Sequence, residues 1–184
     1  MTGTEWLPLP LLFLDVDGPL IPFGAEPGEY PTFTAALGHP HALHGVDVSP
    51  LLSRIDPAHG TRLSALPCEV VWATTWGDDA NEAVGPLLGL PRLAVVDWPE
   101  PSDADEDEDE REGIHWKTRP LVAWAAGRPF VWIDDELTGR DRAWVAAHHP
   151  GRALLLRVDA RVGLTDADYA TAGAWLRQAR PRTA

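Results

Sequence analysis

The chain has 184 residues, 45% of them hydrophobic, and carries 28 Asp and Glu against 15 Lys and Arg for a formal net charge of −13. That balance weighs against attraction to an anionic membrane and against stable nucleic-acid binding, while the length and composition suit one globular domain over residues 1–184. No apolar run reaches the length of a membrane span, Glu5 and the lack of a basic stretch argue against a signal peptide, and the sole cysteine, Cys68, excludes an internal disulfide and fits a reducing cytoplasm.

In chain order, residues 9–14 form an apolar run of strand length that ends in Asp15-Val16-Asp17-Gly18. Residues two apart in a strand point the same way, so both carboxylates can converge where the pleat relaxes into a turn. Converging carboxylates repel each other unless a cation sits between them, and Gly18 permits a sharp turn and close approach to a ligand. Read alone, the segment equally fits a buried strand followed by an Asp-rich turn. Ser49 and Pro50 offer an N-cap and a first-turn proline to a helix over 51–55. Cys68 precedes a second strand, 69–73, and is expected to be structural. Thr74 and Thr75 follow that strand, where a hydroxyl can donate to a phosphate oxygen without adding charge; a Thr-rich strand edge is the plain alternative. Residues 78–88 have helical spacing interrupted at Gly85-Pro86, and 93–96 form a short strand before Asp97. The run DADEDEDERE reads as a solvated, flexible loop at about 100–112.

Lys117 opens a helix over 118–126 that stops at Gly127. The macrodipole disfavours a lysine there, so either another interaction holds it or it is an ordinary surface lysine. A fourth strand, 129–133, ends in Asp134-Asp135-Glu136, and buried strands rarely finish in three acids without a cation or basic partner nearby. A helix over 140–148, a fifth strand over 153–158 and a helix over 166–180 with Asp166 as N-cap complete the chain. Unalternating apolar strands separated by helices indicate an α/β fold with a doubly wound, mainly parallel sheet covered on both faces. Ligands of such folds bind beyond the carboxyl ends of the strands, which singles out Asp15, Asp17, Thr74, Thr75, Asp97, Asp134 and Asp135.

The order Asp-x-Asp-Gly, strand-Thr, Lys, strand-Asp-Asp, running from Leu11 to Asp135, resembles the four-motif order of the haloacid dehalogenase-like (HAD) hydrolases. The resemblance implies a Rossmann-like core and a role for each position. Asp15 would be the nucleophile that forms an aspartyl-phosphate. Asp17 would be the general acid and then the base that activates water. Thr74, or Thr75 if the register slips by one, would bind the phosphoryl group with Lys117. Mg²⁺ would be held by Asp134 with Asp135, together with Asp15 and the Asp17 region. The chemistry agrees: a carboxylate nucleophile splits phosphoryl transfer into two easier steps, and Mg²⁺ prefers hard oxygen ligands. Asp17 favours phosphate chemistry over dehalogenation, since dehalogenases of the superfamily generally lack that second Asp. More narrowly, Trp72–Asn81 and Trp132–Glu136 resemble a small bacterial HAD subgroup, some members of which are linked to RNA repair.

Pro19 departs from the usual Thr or Val after the glycine, and the acidic run just upstream of Lys117 would weaken anion binding if it folded inward. Neither the 20–69 gap nor the 75–117 gap holds a full cap domain, so the expected site is open, with no or a minimal cap, and suits bulky substrates such as nucleic-acid ends, proteins or nucleotides, while the charge of −13 keeps a phosphorylated small molecule as an alternative. Trp76 and Trp116 flank it and could stack on a base, although packing is the commoner use of tryptophan. His39, His41, His44, His148 and His149 lack the companions of a zinc site. The reading is a Mg²⁺-dependent phosphatase of the cytoplasm, with a phosphotransferase or a non-catalytic HAD-like binding protein as the rivals.

Overall fold

The computed structural model describes residues 8–33, 50–99 and 102–180. Five strands form one all-parallel sheet: β1 (Leu11–Leu14), β2 (Glu69–Trp72), β3 (Ala94–Val95), β4 (Phe130–Asp134) and β5 (Ala153–Arg157), in the order β3-β2-β1-β4-β5. The chain builds outward from β1 in one direction through β2 and β3, then returns to its other side through β4 and β5. The order therefore reverses between β1 and β4, and in doubly wound sheets that is where the ligand crevice opens. Every residue of β1 and β4 is buried, which is why their sequences do not alternate with polar positions.

Alternate side chains feed two cores. Leu12, Leu14, Val131 and Ile133 face Leu63 of α1 (Ala58–Ser64), Leu88 of α2 (Gly85–Leu88) and Leu176 of α6 (Asp166–Ala179). Leu11, Phe13, Phe130 and Trp132 face Leu121 and Ala125 of α4 (Thr118–Ala125) and Val145 of α5 (Gly139–His148). Phe13 meets Trp124 and Phe130 edge-on, with centroids 5.5 and 5.4 Å away, an arrangement suited to the ring quadrupoles. Both faces of the sheet are thus covered, and no cap domain is present among the described residues.

Several local features differ from the sequence expectations. The acidic run is not a loop but a helix, α3 (Asp103–Glu112). Glutamate is a good helix former, and Arg119 of α4 meets Glu108 at 3.4 Å, Glu112 at 2.9 Å and Asp109 in direct contact. Residues Pro50–Arg54 form a 3-10 turn, and Ser49 lies outside the described residues. Helix α1, which the sequence did not reveal, packs on α2. The chain does not break at Gly85-Pro86: Ala80–Val84 winds as a π-helix, and Pro86 then falls in the first turn of α2, where its missing N–H is no loss. Ala126, at φ 48°, ends α4 one residue before Gly127. Thr165, not Asp166, caps α6, in a capping box with Asp168.

Gly60 marks the tightest helix contact: a Cβ there would lie 1.7 Å from the Leu88 carbonyl oxygen. Gly60→Ala must push α1 away from α2, at a cost of about 1–3 kcal/mol. We expect Tm to fall by roughly 3–10 °C, whereas Gly139→Ala, whose Cβ meets nothing within 4 Å, should not lower it; thermal melts of the two variants check this.

Candidate active site

The register of the central strands sets the site. Leu14 lies opposite Ile133 across β1 and β4, and the Asp15 amide donates to the Ile133 carbonyl at 3.1 Å, so Asp15 and Asp134 leave the sheet side by side. The loop after β1 turns at once. Ile21 and Leu20 both return their amides to the Val16 carbonyl at 3.0 Å, and the Gly18 amide donates to Ile21 at 3.0 Å. Gly18 has φ +82°, and a Cβ on it would come within 2.5 Å of an Asp135 carboxylate oxygen; both the conformation and the close approach require glycine. Pro19 is buried in this turn, and its carbonyl accepts from Leu164 at 2.9 Å.

Lys117 lies at the centre of the cluster, at the start of α4 and 3% exposed. Its Nζ donates to Asp15 Oδ2 at 2.5 Å and to Asp134 Oδ2 at 3.0 Å. The other oxygen of each carboxylate is also held: Asp15 Oδ1 accepts the Val16 N–H at 2.7 Å and Asp134 Oδ1 the Glu136 N–H at 2.9 Å. Burial alone would lower the Lys117 ammonium, but the charges of Asp15 and Asp134 hold it above its ordinary value. Burial pushes the Asp15 carboxyl up to about 7, against the pull of Lys117 and with the added repulsion of Asp134. Asp135 is raised as well, chiefly by burial and then by Asp134 and Glu136.

Carboxylate oxygens of Asp15, Asp134 and Asp135 all lie within 4.8 Å of one another. Three acids around a single ammonium leave an excess of negative charge, and the donors are hard oxygens; this fits Mg²⁺. Asp17 is not part of that cluster. Its carboxylate is held by the Trp76 indole N–H at 2.9 Å. Thr74 is fully buried, accepts the Trp76 amide at 3.3 Å and gives its carbonyl to the Trp98 indole at 3.0 Å, whereas Thr75 is exposed. A second group, His115, Asp134 and Glu136, also lies within 4.8 Å. It is a hydrogen-bonded arrangement: His115 Nδ1 accepts the Lys117 N–H at 3.1 Å, which places the ring proton on Nε2, facing Glu136 at 2.9 Å. His39, His41 and His44 lie outside the described residues, and His148 and His149 hydrogen-bond the Trp144 and Arg128 carbonyls.

Sequence reasoning missed Asp141. This fully buried carboxylate accepts the Thr138 amide and hydroxyl at 2.8 and 2.6 Å through one oxygen. Through the other it accepts the His115 amide at 2.6 Å and the Thr118 hydroxyl at 2.8 Å. It therefore closes the capping box of α5 and clamps the segment that presents Lys117. Thr138-x-x-Asp141 was the readable signal, since that spacing is a capping box; its reach back to residues 115–118 was not.

Burial would raise Asp141, but its four hydrogen bonds outweigh that and hold its pKa below the ordinary value. A carboxyl depressed in the folded state stabilises above its unfolded pKa, about 3.9, and the contribution is lost as pH falls through the folded value. Asp141→Asn turns an amide toward donors that needed an acceptor, at a cost of about 1–3 kcal/mol. Its melting temperature should drop at pH 7, and the gap to the parent protein should narrow as the pH falls below about 3.9; parallel melts across pH check this.

The family model for the HAD domain in Swiss Army Knife RNA repair proteins matches residues 11–169. No curated protein and no solved structure matches the chain. The matched stretch begins with β1 and ends in the first turn of α6, taking in the whole sheet and every charged side chain gathered at its carboxyl edge, and on that extent the chain belongs to this family of HAD domains.

Proposed function

We propose that the protein is a Mg²⁺-dependent phosphatase that moves the phosphoryl group of a phosphomonoester to Asp15 and then to water. The observation that carries this reading is the buried Lys117 ammonium shared between Asp15 and Asp134 at the point where the strand order reverses. A carboxylate kept beside a fixed positive charge is a nucleophile that an anionic phosphate can approach.

In the first step an Asp15 oxygen attacks phosphorus, the ester P–O bond breaks, and Asp17 gives its proton to the departing alkoxide. In the second, water attacks the aspartyl-phosphate, Asp17 takes the water's proton, and inorganic phosphate leaves with Asp15 restored. The Trp76 indole holds one Asp17 oxygen and so aims the carboxyl. Thr74, buried at the strand end where Thr75 is exposed, is the better placed hydroxyl to donate to the phosphoryl oxygens. Asp15, Asp134 and Asp135 would hold Mg²⁺, which when bound neutralises the repulsion between their charge and the substrate's. The strand-end edge, which carries no cap domain among the described residues, and the family's connection with RNA repair favour a nucleotide or a nucleic-acid-end phosphate as substrate. Lone Cys68 and the lack of any long apolar helix among the described residues accord with a cytoplasmic setting.

Chelation should abolish release of inorganic phosphate from an aryl phosphate, and added Mg²⁺ should restore it; full activity in EDTA would overturn the reading. Asp15→Asn, verified free of deamidation, should be inactive. Asp17→Asn should lose about 10²–10⁴-fold on alkyl phosphates and less on activated aryl phosphates, whose leaving groups need little protonation. Rapid-quench mass spectrometry of Asp17→Asn should place an added phosphoryl mass on the peptide containing Asp15.

A further inference from the structure

Of the eight tryptophans among the described residues, seven belong to or pack against one of the two cores; Trp116 belongs to neither and is 44% exposed. Its place is not arbitrary. It precedes Lys117, whose Nζ lies 5.7 Å from the Trp116 ring centroid and 2.5 Å from Asp15. Trp98 stands edge-on to it with centroids 5.0 Å apart, and His115 lies alongside at 5.6 Å. Trp98 is itself pinned, its indole N–H donating to the Thr74 carbonyl at 3.0 Å. Both rings are thus tied by direct contacts to groups that would hold the phosphoryl group, Thr74 and Lys117, yet one of them leaves much of its surface to solvent.

We propose that Trp116, braced by Trp98, is a stacking platform for the base of a phosphorylated nucleoside, whether a free nucleotide or the terminal nucleotide of a chain. The proposal rests on the phosphatase reading above, because that reading places the phosphate. Three physical points support it. The ring lies close enough to Lys117 and Asp15 for a phosphate on the nucleophile and a base on the indole to be joined by a single sugar. The platform is rigid before binding, since Trp98 and the Asp141-clamped segment hold it, so little freedom is lost on stacking. Stacking also provides affinity without positive charge. In a protein with 28 acids against 15 bases, a long polyanion gains little from the surface, whereas a base has a π-face that tolerates any sequence. Trp76, the other flanking tryptophan, packs against the first core and is committed to Asp17 through its indole N–H, so it is not part of this surface.

The test compares two ligands that differ only by the base, adenosine 5′-monophosphate and ribose 5-phosphate, with Mg²⁺ present. Equilibrium dialysis with the Asp15→Asn protein gives their affinities free of turnover, and kcat/KM with the active protein gives the same comparison in catalysis. Trp116→Ala should reduce the preference for the nucleotide by about tenfold, the worth of one stacked base, and Trp116→Phe should retain most of it. An unchanged preference in Trp116→Ala would overturn the platform. If the active protein releases no phosphate from the aryl phosphate either, the phosphatase reading fails, while the dialysis ratio still decides for or against stacking. A 5′-phosphorylated trinucleotide in parallel separates the two sources: tighter binding than the mononucleotide marks a chain end, weaker binding a free nucleotide, and either result must show the same loss in Trp116→Ala to support the proposal.

Discussion

The Lys117 ammonium between Asp15 and Asp134 is the interaction on which the rest of the site depends. The two carboxylates leave adjacent strands at the same level, one 7% exposed and the other fully buried. Side by side in a low-dielectric setting they would repel, and one would protonate, unless a positive charge lay within reach. Lys117 supplies it from the start of α4, the helix end that disfavours a cation. The two carboxylates outweigh that unfavourable placement, and the result is a buried pair that is costly to break: removing one partner of such a pair typically costs about 3–5 kcal/mol because a charge is left uncompensated. A group so expensive to keep charged inside a protein is better explained by chemistry than by stability.

The geometry around it is over-determined. Strand register places Asp15 beside Asp134, Gly18 lets Asp135 close in, and Asp141 fixes the backbone that carries Lys117. The constraints are of three kinds, strand register, a glycine turn and a helix cap, and together they hold the loops that carry Asp135 and Lys117. Asp141 gives one carboxylate oxygen to α5 and the other to residues 115 and 118. The helix following β4 is thereby locked to the segment that inserts its lysine between β1 and β4, and a shift in one is felt by the other.

What could be read in the sequence was what is local. The strands betray themselves by unbroken apolar runs, and Asp15, Asp17, Asp134 and Asp135 follow them directly. Lys117 stood out as an oddity of helix chemistry and through the order of the motifs; its burial depends on Asp15, 102 residues back, and Asp134, 17 residues on. Asp141 does not stand out within the helix expected over 140–148, because two of its four partners lie 23 and 26 residues back. Asp17 could be placed at the turn, but its indole partner is 59 residues on. The acidic run failed as a loop because charge composition says nothing of a partner, and Arg119, which draws Glu108, Asp109 and Glu112 onto one helix face, lies outside it.

That same arginine bears on how so acidic a protein can admit a phosphate. Helix α3 brings acids near the lysine-bearing segment, and unneutralised they would repel an approaching anion. Arg119, two residues past Lys117, is engaged with three of them. The exposed acids elsewhere matter less, since charges beyond about 8 Å are largely screened at physiological ionic strength. The field that a phosphate meets is therefore set by the site's own groups: three clustered carboxylates against one ammonium. Partial exposure keeps the worth of the Arg119 pairs small for stability, so their larger consequence is electrostatic. They leave the site's own negative excess, three clustered carboxylates against one ammonium, as the imbalance that the proposed divalent cation would correct ahead of an anionic substrate.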